Sequence, residues 1–348
     1  MRILQHTLVA LAATIMAIAS ASAAETTHNN IKTIKVADFI GTVKIETAAR
    51  GSVRLNTETG ANPDYPVRID AANGVLTIRS DVNPDKTRWW DDVDWRRHEE
   101  NAFVEFLKDY PTLTLTIPAG AALSFDSAVV NLSADNTNGA LSVRRGHVDG
   151  FIGDIASGDI GIDGSGDLRT GVIAGALKIS IHGSGDFDAV TADSLDASIH
   201  GSGDIKIGDI RGEASMGIQG SGDISLGEIN GPLIATIQGS GDIDTGKVLG
   251  GGAVSIHGSG DISLASINGE TSARIHGSGD IDIRGGRAEN LKVQIFGSGG
   301  FEFDGLATNP DVQANRSGDI RISRHEGTVR ARGDGDIRIS GVEYGDDD

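Results

Sequence analysis

The segment Ile199-His200-Gly201-Ser202-Gly203-Asp204-Ile205 recurs with small changes through the second half of this chain. Its Gly-Ser-Gly-Asp core, or a close variant of it, begins at ten positions. These are Gly164, Gly183, Gly201, Gly220, Gly239, Gly258, Gly277, Gly297, Arg316 and Gly333. The spacing stays between 17 and 20 residues. A regular period of this length is typical of solenoid proteins, in which each repeat is one structural unit stacked on the next.

Apolar residues in each unit alternate with polar ones, which is the pattern of a β-strand with one buried face. In the quoted unit, Ile199 precedes the tetrapeptide by two residues and Ile205 follows its first glycine by four. The two glycines share the inward parity of these isoleucines, so we predict that the chain bends there, where the absence of a side chain leaves room. The intervening residues, His200, Ser202 and Asp204, are predicted to face solvent.

A further apolar row predicts a third short strand in each unit. The row consists of Ile173, Ile210, Ile229, Val248 and Ile267. Three short strands and their bends occupy the whole unit, so there is no room for a helix of ordinary length. Similar short strands at constant spacing favour an all-β fold, a right-handed parallel β-helix whose coils pair at about 4.8 Å. A propeller is disfavoured because its blades need roughly 40 residues and neighbouring units do not differ in type.

The chain divides into three parts. Residues 1–23 are typical of an export signal, with a basic start at Met1-Arg2, a short apolar run and the small-residue cleavage site Ala21-Ser22-Ala23. Residues 24–126 alternate as strands do but lack the tetrapeptide, so we predict an irregular N-terminal β region that caps the rod. Residues 127–348 are predicted to form the repeat β-helix.

Composition narrows the classes of function. The chain contains 49 glycines and no cysteine, and the lack of cysteine excludes disulfide scaffolds and thiolate metal sites. Its formal net charge of −19 repels phosphate backbones, so nucleic-acid binding is not expected. No transmembrane segment is expected after signal cleavage, because no second long apolar segment follows. The mature protein is predicted to be exported, to the periplasm or to the cell surface or medium.

The aspartates of the tetrapeptide are predicted to stack in a column along the rod. Its most regular part consists of Asp186, Asp204, Asp223, Asp242, Asp261 and Asp280. Carboxylates about 5 Å apart repel by about 0.8 kcal/mol per neighbour even at the dielectric constant of water, so each coil needs something that offsets this. Backbone N–H groups of the glycine bend are the first candidates. A row of Ca²⁺ ions is the alternative, although the calcium-binding pattern Gly-Gly-x-Gly-x-Asp is not matched.

Four units place a histidine directly before the tetrapeptide. These are His182, His200, His257 and His276. Each such unit contains serine, histidine and aspartate, but a nucleophile needs a base, an acid and oxyanion donors that converge from different directions. Gln219 and Gln238 replace the histidine in otherwise intact units, so we interpret the set as a surface ladder and not as a catalytic site. Histidines of adjacent coils could also share a transition-metal ion. No cofactor is expected, with calcium in the aspartate column as the alternative.

All three tryptophans, Trp89, Trp90 and Trp95, lie within seven residues in a charged stretch that continues through Arg96 and Arg97. Exposed aromatic side chains beside charged groups are typical of a sugar-binding face. They are equally typical of a cap that covers the open end of a β-helix. The sequence leaves both interpretations open.

The repeated His/Gln-Gly-Ser-Gly-Asp-Ile motif, in an exported chain without cysteine, resembles the bacterial family of putative auto-transporter adhesins with a head GIN domain. The segment from Tyr110 to Pro118 is similar to the strand that leads into that domain. The resemblance covers roughly residues 30 to 345. It implies a β-helical protein of the cell envelope with an adhesive role and no catalytic residues.

Three functions are compatible with the sequence. The leading hypothesis is a non-enzymatic, adhesin-like protein that binds a cell-surface glycan or an envelope protein through the polar face of the β-helix. The alternative is a lyase or hydrolase acting on an acidic polysaccharide, because β-helices also host such enzymes. An enzyme would need long loops that wall a cleft, yet the spacing from Gly164 to Gly341 never leaves 17 to 20 residues. The third hypothesis is a purely structural periplasmic spacer.

Overall fold

The computed structural model describes residues 24–62, 64–80, 82, 84 and 102–344, and the predicted export signal lies outside them. The N-terminal strands are β1 (Ala24–His28), β2 (Thr33–Ala48), β3 (Val53–Glu58), β4 (Val67–Ala72), β5 (Val75–Ser80), β6 (Thr112–Pro118), β7 (Ala122–Ala134) and β8 (Ala140–Ile152). The next strands are β9 (Ser157–Gly164), β10 (Leu168–Val172), β11 (Ala176–Gly183), β12 (Phe187–Ala192), β13 (Ser194–Gly201), β14 (Ile205–Ile210), β15 (Ala214–Ile218), β16 (Ile224–Leu226), β17 (Leu233–Ile237) and β18 (Ile243–Val248). The last are β19 (Gly252–Gly258), β20 (Ile262–Gly277), β21 (Ile281–Ile283), β22 (Gly286–Gly297), β23 (Gly300–Thr308), β24 (Asp311–Arg316), β25 (Asp319–Glu326), β26 (Arg330–Arg332), β27 (Asp336–Ile339) and β28 (Val342–Tyr344). A short helix, α1 (Ala102–Leu107), precedes β6.

From β9 onward the strands fall into two parallel series, one before and one after each tetrapeptide. In the first series, Ile199 of β13 lies beside Ile218 of β15. In the second series, Ile205 of β14 lies beside Ile224 of β16. Isolated bridges, such as the one that includes Ile229, form a third and narrower contact between coils. The chain is an all-β solenoid of about 11 stacked turns. The predicted parallel β-helix is confirmed, and its handedness stays a prediction.

The interior of the solenoid is a continuous aliphatic column. Ile181, Ile199, Ile218 and Ile237 occupy equivalent positions in successive coils, and each is fully buried. Burial of one such side chain contributes about 1.5–3 kcal/mol, so every coil that docks adds an increment of this size at each inward position. One hydrophobic cluster extends from the N-terminal strands to Ile339. The alternation read from the sequence therefore describes the core.

The glycines of the tetrapeptide lie where successive coils approach most closely. A Cβ added to Gly201 would lie 2.0 Å from the carbonyl oxygen of Gly183, and one added to Gly203 would lie 2.0 Å from that of Gly185. The Ser202 N–H donates a hydrogen bond of 2.8 Å to the Gly183 carbonyl. Glycine is required at both positions because backbone from the preceding coil fills the space that a side chain would take.

The one unit with a 20-residue spacing takes its extra residue at a corner. β20 and β22 pair Glu270 with Glu289, but the next pair after the irregularity joins Ser272 to Lys292. In β22 two residues, Asn290 and Leu291, therefore lie opposite one residue of β20, Thr271. Asn290 adopts a left-handed backbone conformation here, with φ of 45°. This arrangement is a β-bulge, which lets the strand resume its register beyond the insertion.

The solenoid begins before the first tetrapeptide. β2 pairs in parallel with β7, from Thr33 beside Ala122 to Ile45 beside Ala134, so β2 already forms a coil. The other edge of β2 pairs with β5 and β6, and β3 and β1 continue the sheet in antiparallel pairing. The described part of the predicted cap region is thus continuous with the rod. The predicted boundary between residues 126 and 127 falls inside β7 and stays a prediction.

At the C-terminal end, β28 turns back and pairs antiparallel with β27, with Tyr344 beside Ile337. This hairpin covers one strand edge of the last coil, which would otherwise be open to pairing with another chain. Within the part of the chain that the structure describes, no helix has the length and apolar character needed to cross a bilayer.

We expect Gly222→Ala to lower the free energy of unfolding by about 3 kcal/mol, because overpacking forces backbone to move. The added methyl would lie 2.0 Å from the carbonyl oxygen of Gly203. Gly217→Ala in the same coil is the matched control, since nothing lies within 4 Å of its added methyl. That variant should be unchanged or about 0.5 kcal/mol more stable. Urea denaturation followed by circular dichroism compares the two, and equal losses would contradict the close-approach argument.

Candidate binding face

Outward side chains of equivalent positions form straight columns along the rod. The carboxylate column comprises the aspartates that directly precede the second-series strands. Asp149 of β8 is its first member. Its members are Asp149, Asp167, Asp186, Asp204, Asp223, Asp242, Asp261 and Asp280. As predicted, the residues that intervene between the inward ones, such as His182, Ser184 and Asp186, are exposed.

Backbone donors stabilise the carboxylate column. The Oδ1 atom of each aspartate accepts a hydrogen bond of 2.7–3.0 Å from the backbone N–H of the aspartate in the next coil. The series ends where Gly300 N–H donates to Asp280 at 2.6 Å. The sequence predicted backbone donors from the residue's own bend, whereas the structure places the donor one coil further on. A hydrogen bond to a charged acceptor contributes about 1.5–3 kcal/mol, which exceeds the repulsion per neighbour.

A second outward column runs beside the first, two residues along each second-series strand. Near its start Asp188 is balanced, because its carboxylate accepts a hydrogen bond of 3.1 Å from Arg169. Asp282 lies further along the same column, where, in the described residues, no arginine pairs with its carboxylate in this way. Burial raises its pKa, and the charges of Asp280 and Asp261 raise it further. The positive charge of Arg284 opposes this rise without cancelling it. Burial likewise raises the pKa of Asp167 in the carboxylate column.

The calcium ladder suggested for Asp186 to Asp280 stays a prediction. In the described residues, no three histidine, aspartate or glutamate side chains converge as a metal-binding group. One oxygen of each ladder carboxylate already accepts a backbone hydrogen bond, so only Oδ2 remains for a metal ion. Where Gly300 interrupts the column, a hollow of about 240 Å³ opens between Asp280 and Asp319. Arg321 lines the same hollow and pairs with Asp319 at 2.8 Å.

The histidines stack face to face across coils. The ring centroids of His182 and His200 are 4.7 Å apart, and those of His257 and His276 are 4.9 Å apart, with 3° between the planes in each pair. Phe296 extends the second stack, 4.8 Å from His276. Nitrogen lone pairs lie in the ring plane, so in parallel rings they run side by side and do not point at one shared ion. Metal binding by these pairs, which stays a prediction, would require the rings to rotate.

The environment of His276 disfavours a charged ring. Burial lowers its pKa, and the positive charges of His257, when protonated, and of Arg274 lower it further. In the described residues the serine, histidine and aspartate side chains of a unit stand in separate columns. The Asp186 carboxylate, for example, accepts from the Asp204 backbone. This placement is consistent with a surface ladder.

Trp89, Trp90 and Trp95 lie outside the described residues, so their predicted role in sugar binding or capping stays a prediction.

Sequence reasoning also missed a surface, the outward face of the first-series strands β15, β17, β19, β20 and β22. In the columns three and five residues before each tetrapeptide, from Ser215 to Gln294, these strands present no carboxylate, whereas Glu270 and Glu289 stand exposed at the corner before them. The signal was present in the positions three and five residues before each tetrapeptide, where aspartate is absent from five consecutive units.

Comparison with known proteins gives the following. A family model described as "Putative auto-transporter adhesin, head GIN domain" matches residues 30–209 and 228–343. Among solved structures, the chain is similar to a putative adhesin from Parabacteroides distasonis ATCC 8503, with 16% identity, a TM-score of 0.24 and coverage of 89% of this chain and 96% of that chain. It is also similar to a putative lipid binding protein from the same organism, with 14% identity, a TM-score of 0.22 and the same coverage of 89% and 96%. No curated protein matches the chain.

The hydrogen-bonded ladder predicts different effects for two substitutions of one residue. Asp242→Ala leaves the Asp261 N–H without its acceptor, so it should lower the free energy of unfolding by about 1 kcal/mol. Asp242→Asn keeps an Oδ1 acceptor and removes a negative charge, so its stability should equal or exceed that of the wild type. Thermal and urea denaturation measure both variants. A loss in the asparagine variant as large as that in the alanine variant would contradict the ladder.

Asp282→Asn is expected to stabilise the protein at pH 7. Its folded pKa lies above the ordinary 3.8, so the folded state holds the proton more tightly than the unfolded state does. The charged carboxylate therefore weakens the fold at neutral pH, and this penalty disappears as the pH falls below about 3.8. The stability difference between variant and wild type should shrink over that range. Asp188→Asn, which removes a partner of Arg169, is the control and should give no stabilisation; equal gains in both variants would argue against local repulsion.

Proposed function

The chain belongs to the family of putative auto-transporter adhesins with a head GIN domain, and on this premise we propose that it is a non-enzymatic, adhesin-like protein of the cell envelope. It is exported through the signal in residues 1–23. It binds a cell-surface glycan or an envelope protein along the polar face of its solenoid. Family membership supports the adhesive role, and the surface supports the mode of binding.

The observation that carries this proposal is the regular repetition of outward side chains from coil to coil. Each coil presents the same columns at a step of about 4.8 Å, and no long loop breaks the coil from Gly164 to Gly341. A surface of this kind offers the same hydrogen-bonding groups many times along one line. It suits an extended partner that is held by many weak contacts, whose combined strength comes from multivalency.

The enzymatic alternative receives less support from the shape of the surface. Lyases and hydrolases enclose their substrate in a cleft where several groups converge on the reacting bond. The hollows described on this rod are shallow and open, and those of the first-series face are floored by the strands themselves. We therefore propose binding without turnover, with a structural spacer as the outcome if no partner binds.

A glycan array, supplemented with immobilised outer-membrane proteins, tests the proposal. The purified exported protein is applied in calcium and again in EDTA, with an unrelated protein of similar acidity as the control for non-specific charge effects. We expect retention on a restricted set of glycans or on one protein, without release of product. Formation of product from uronic-acid polymers would contradict the non-enzymatic assignment, and a complete lack of retention would favour the spacer. Loss of retention in EDTA alone would identify the carboxylate column as a calcium site.

A further inference from the structure

The first-series face forms a shallow groove whose charge is opposite to that of the protein. Its outward residues lie in two columns. The first column is Ser215, Ile234, Ala253, Ser272 and Lys292, and the second is Gly217, Thr236, Ser255, Arg274 and Gln294. The face thus contains two cations and no carboxylate, although the whole chain has a formal charge of −19.

The groove exists because small residues lie between large ones. Ala253 and Ser272 form its floor, with Ile234 at one end and Lys292 at the other. These ends are three coils apart, about 14 Å at the usual step between parallel strands. The hollow has a volume of about 190 Å³ and continues over the corner of the rod into a second hollow of about 510 Å³. Ile234 is 55% exposed, which is unusual for a large apolar side chain on this protein.

The two cations of the groove are not paired with carboxylates in its lining. Arg274 donates from Nη2 to the Gln294 side-chain oxygen at 2.9 Å, which fixes the guanidinium and leaves its other N–H groups available. Lys292 lines both hollows. The nearest acid of the adjoining hollow is Glu270, whose carboxylate accepts from Asn290 at 3.4 Å. In contrast, arginines on the second-series face, such as Arg169, pair with a carboxylate.

We propose that this groove binds an acidic glycan, with a sugar carboxylate held by Arg274 and Lys292. This inference rests on the proposed function and names its site and ligand class. A guanidinium matches a carboxylate through two parallel hydrogen bonds, and the lysine adds a second positive charge. The methyl groups of Ile234 and Ala253 provide an apolar surface for the C–H face of a sugar ring. Ser255, Ser272 and Thr236 supply hydroxyl groups for its oxygens.

The negative charge of the rod does not prevent this binding. The stacked carboxylates, from Asp149 to Asp280 and around Asp282, lie at the second-series strands and not in the two columns of the groove. At physiological ionic strength, charges more than about 8 Å apart are largely screened from one another. The local field at the groove is therefore set by Arg274 and Lys292, and the remaining acidity discourages anionic partners elsewhere on the surface.

The test compares trigalacturonate with its fully methyl-esterified form by isothermal titration calorimetry. The ester keeps the rings and hydroxyl groups but has no charge. We expect the acid to bind more tightly than the ester by at least tenfold. The variant Arg274→Gln/Lys292→Gln should lose at least tenfold in affinity for the acid and little for the ester. Ala253→Glu, which places a carboxylate in the floor, should abolish binding.

The matched control is Lys206→Gln/Arg284→Gln, which removes the same charge from second-series strands and their ends. Its affinity for trigalacturonate should equal that of the wild type. Equal losses in the control and groove variants, or equal binding of acid and ester, would overturn the proposal. Binding of the wild type to anionic lipid vesicles but not to trigalacturonate would also overturn it. If the wild type is retained on the glycan array and the groove variants are retained equally, this inference fails while the proposed function stands; if the wild type is not retained at all, the proposed function itself fails.

Discussion

The close approach of successive coils at the Gly-Ser-Gly-Asp corner is the constraint on which the rest of the rod depends. The Ser202 N–H reaches the Gly183 carbonyl at 2.8 Å only because neither flanking glycine has a Cβ. With the step between coils fixed at this corner, the inward isoleucines stack directly on one another. The same step aligns the outward residues in columns. The corner therefore determines both the core and the surface pattern.

Alignment in columns brings like residues together, and the protein accommodates this in more than one way. Where aspartates stack, the backbone N–H of the next coil offsets their repulsion, as for Asp242 and Asp261. Where histidines stack, their rings lie parallel. Asp282 stands in the neighbouring column, where burial and the charges of Asp280 and Asp261 raise the pKa of its carboxyl. Stacked charge is thus tolerated most readily where the backbone compensates for it.

The sequence was sufficient to predict the class of fold, because the alternation around each tetrapeptide is local and repeats ten times. The sequence was insufficient to predict contacts between adjacent coils, because these join residues about 19 positions apart and no motif marks them. The donor to each ladder carboxylate was assigned to the wrong coil for this reason. The coil formed by β2 was not foreseen, since it has no tetrapeptide. The face around Ala253 was missed because its distinguishing feature is the absence of acidic residues, which is visible only when the units are aligned.

The bulge at Asn290 has a consequence for how this protein varies over evolutionary time. A residue inserted at a corner is absorbed there, and every strand beyond it keeps its inward and outward assignment. An inserted or deleted residue therefore leaves the packing of the core unchanged when it falls at a corner. Within a strand it would exchange inward and outward side chains. The exposed columns can therefore change in composition without any change at the glycine corner. Variation of the surface is in this way separated from the requirement that the chain fold.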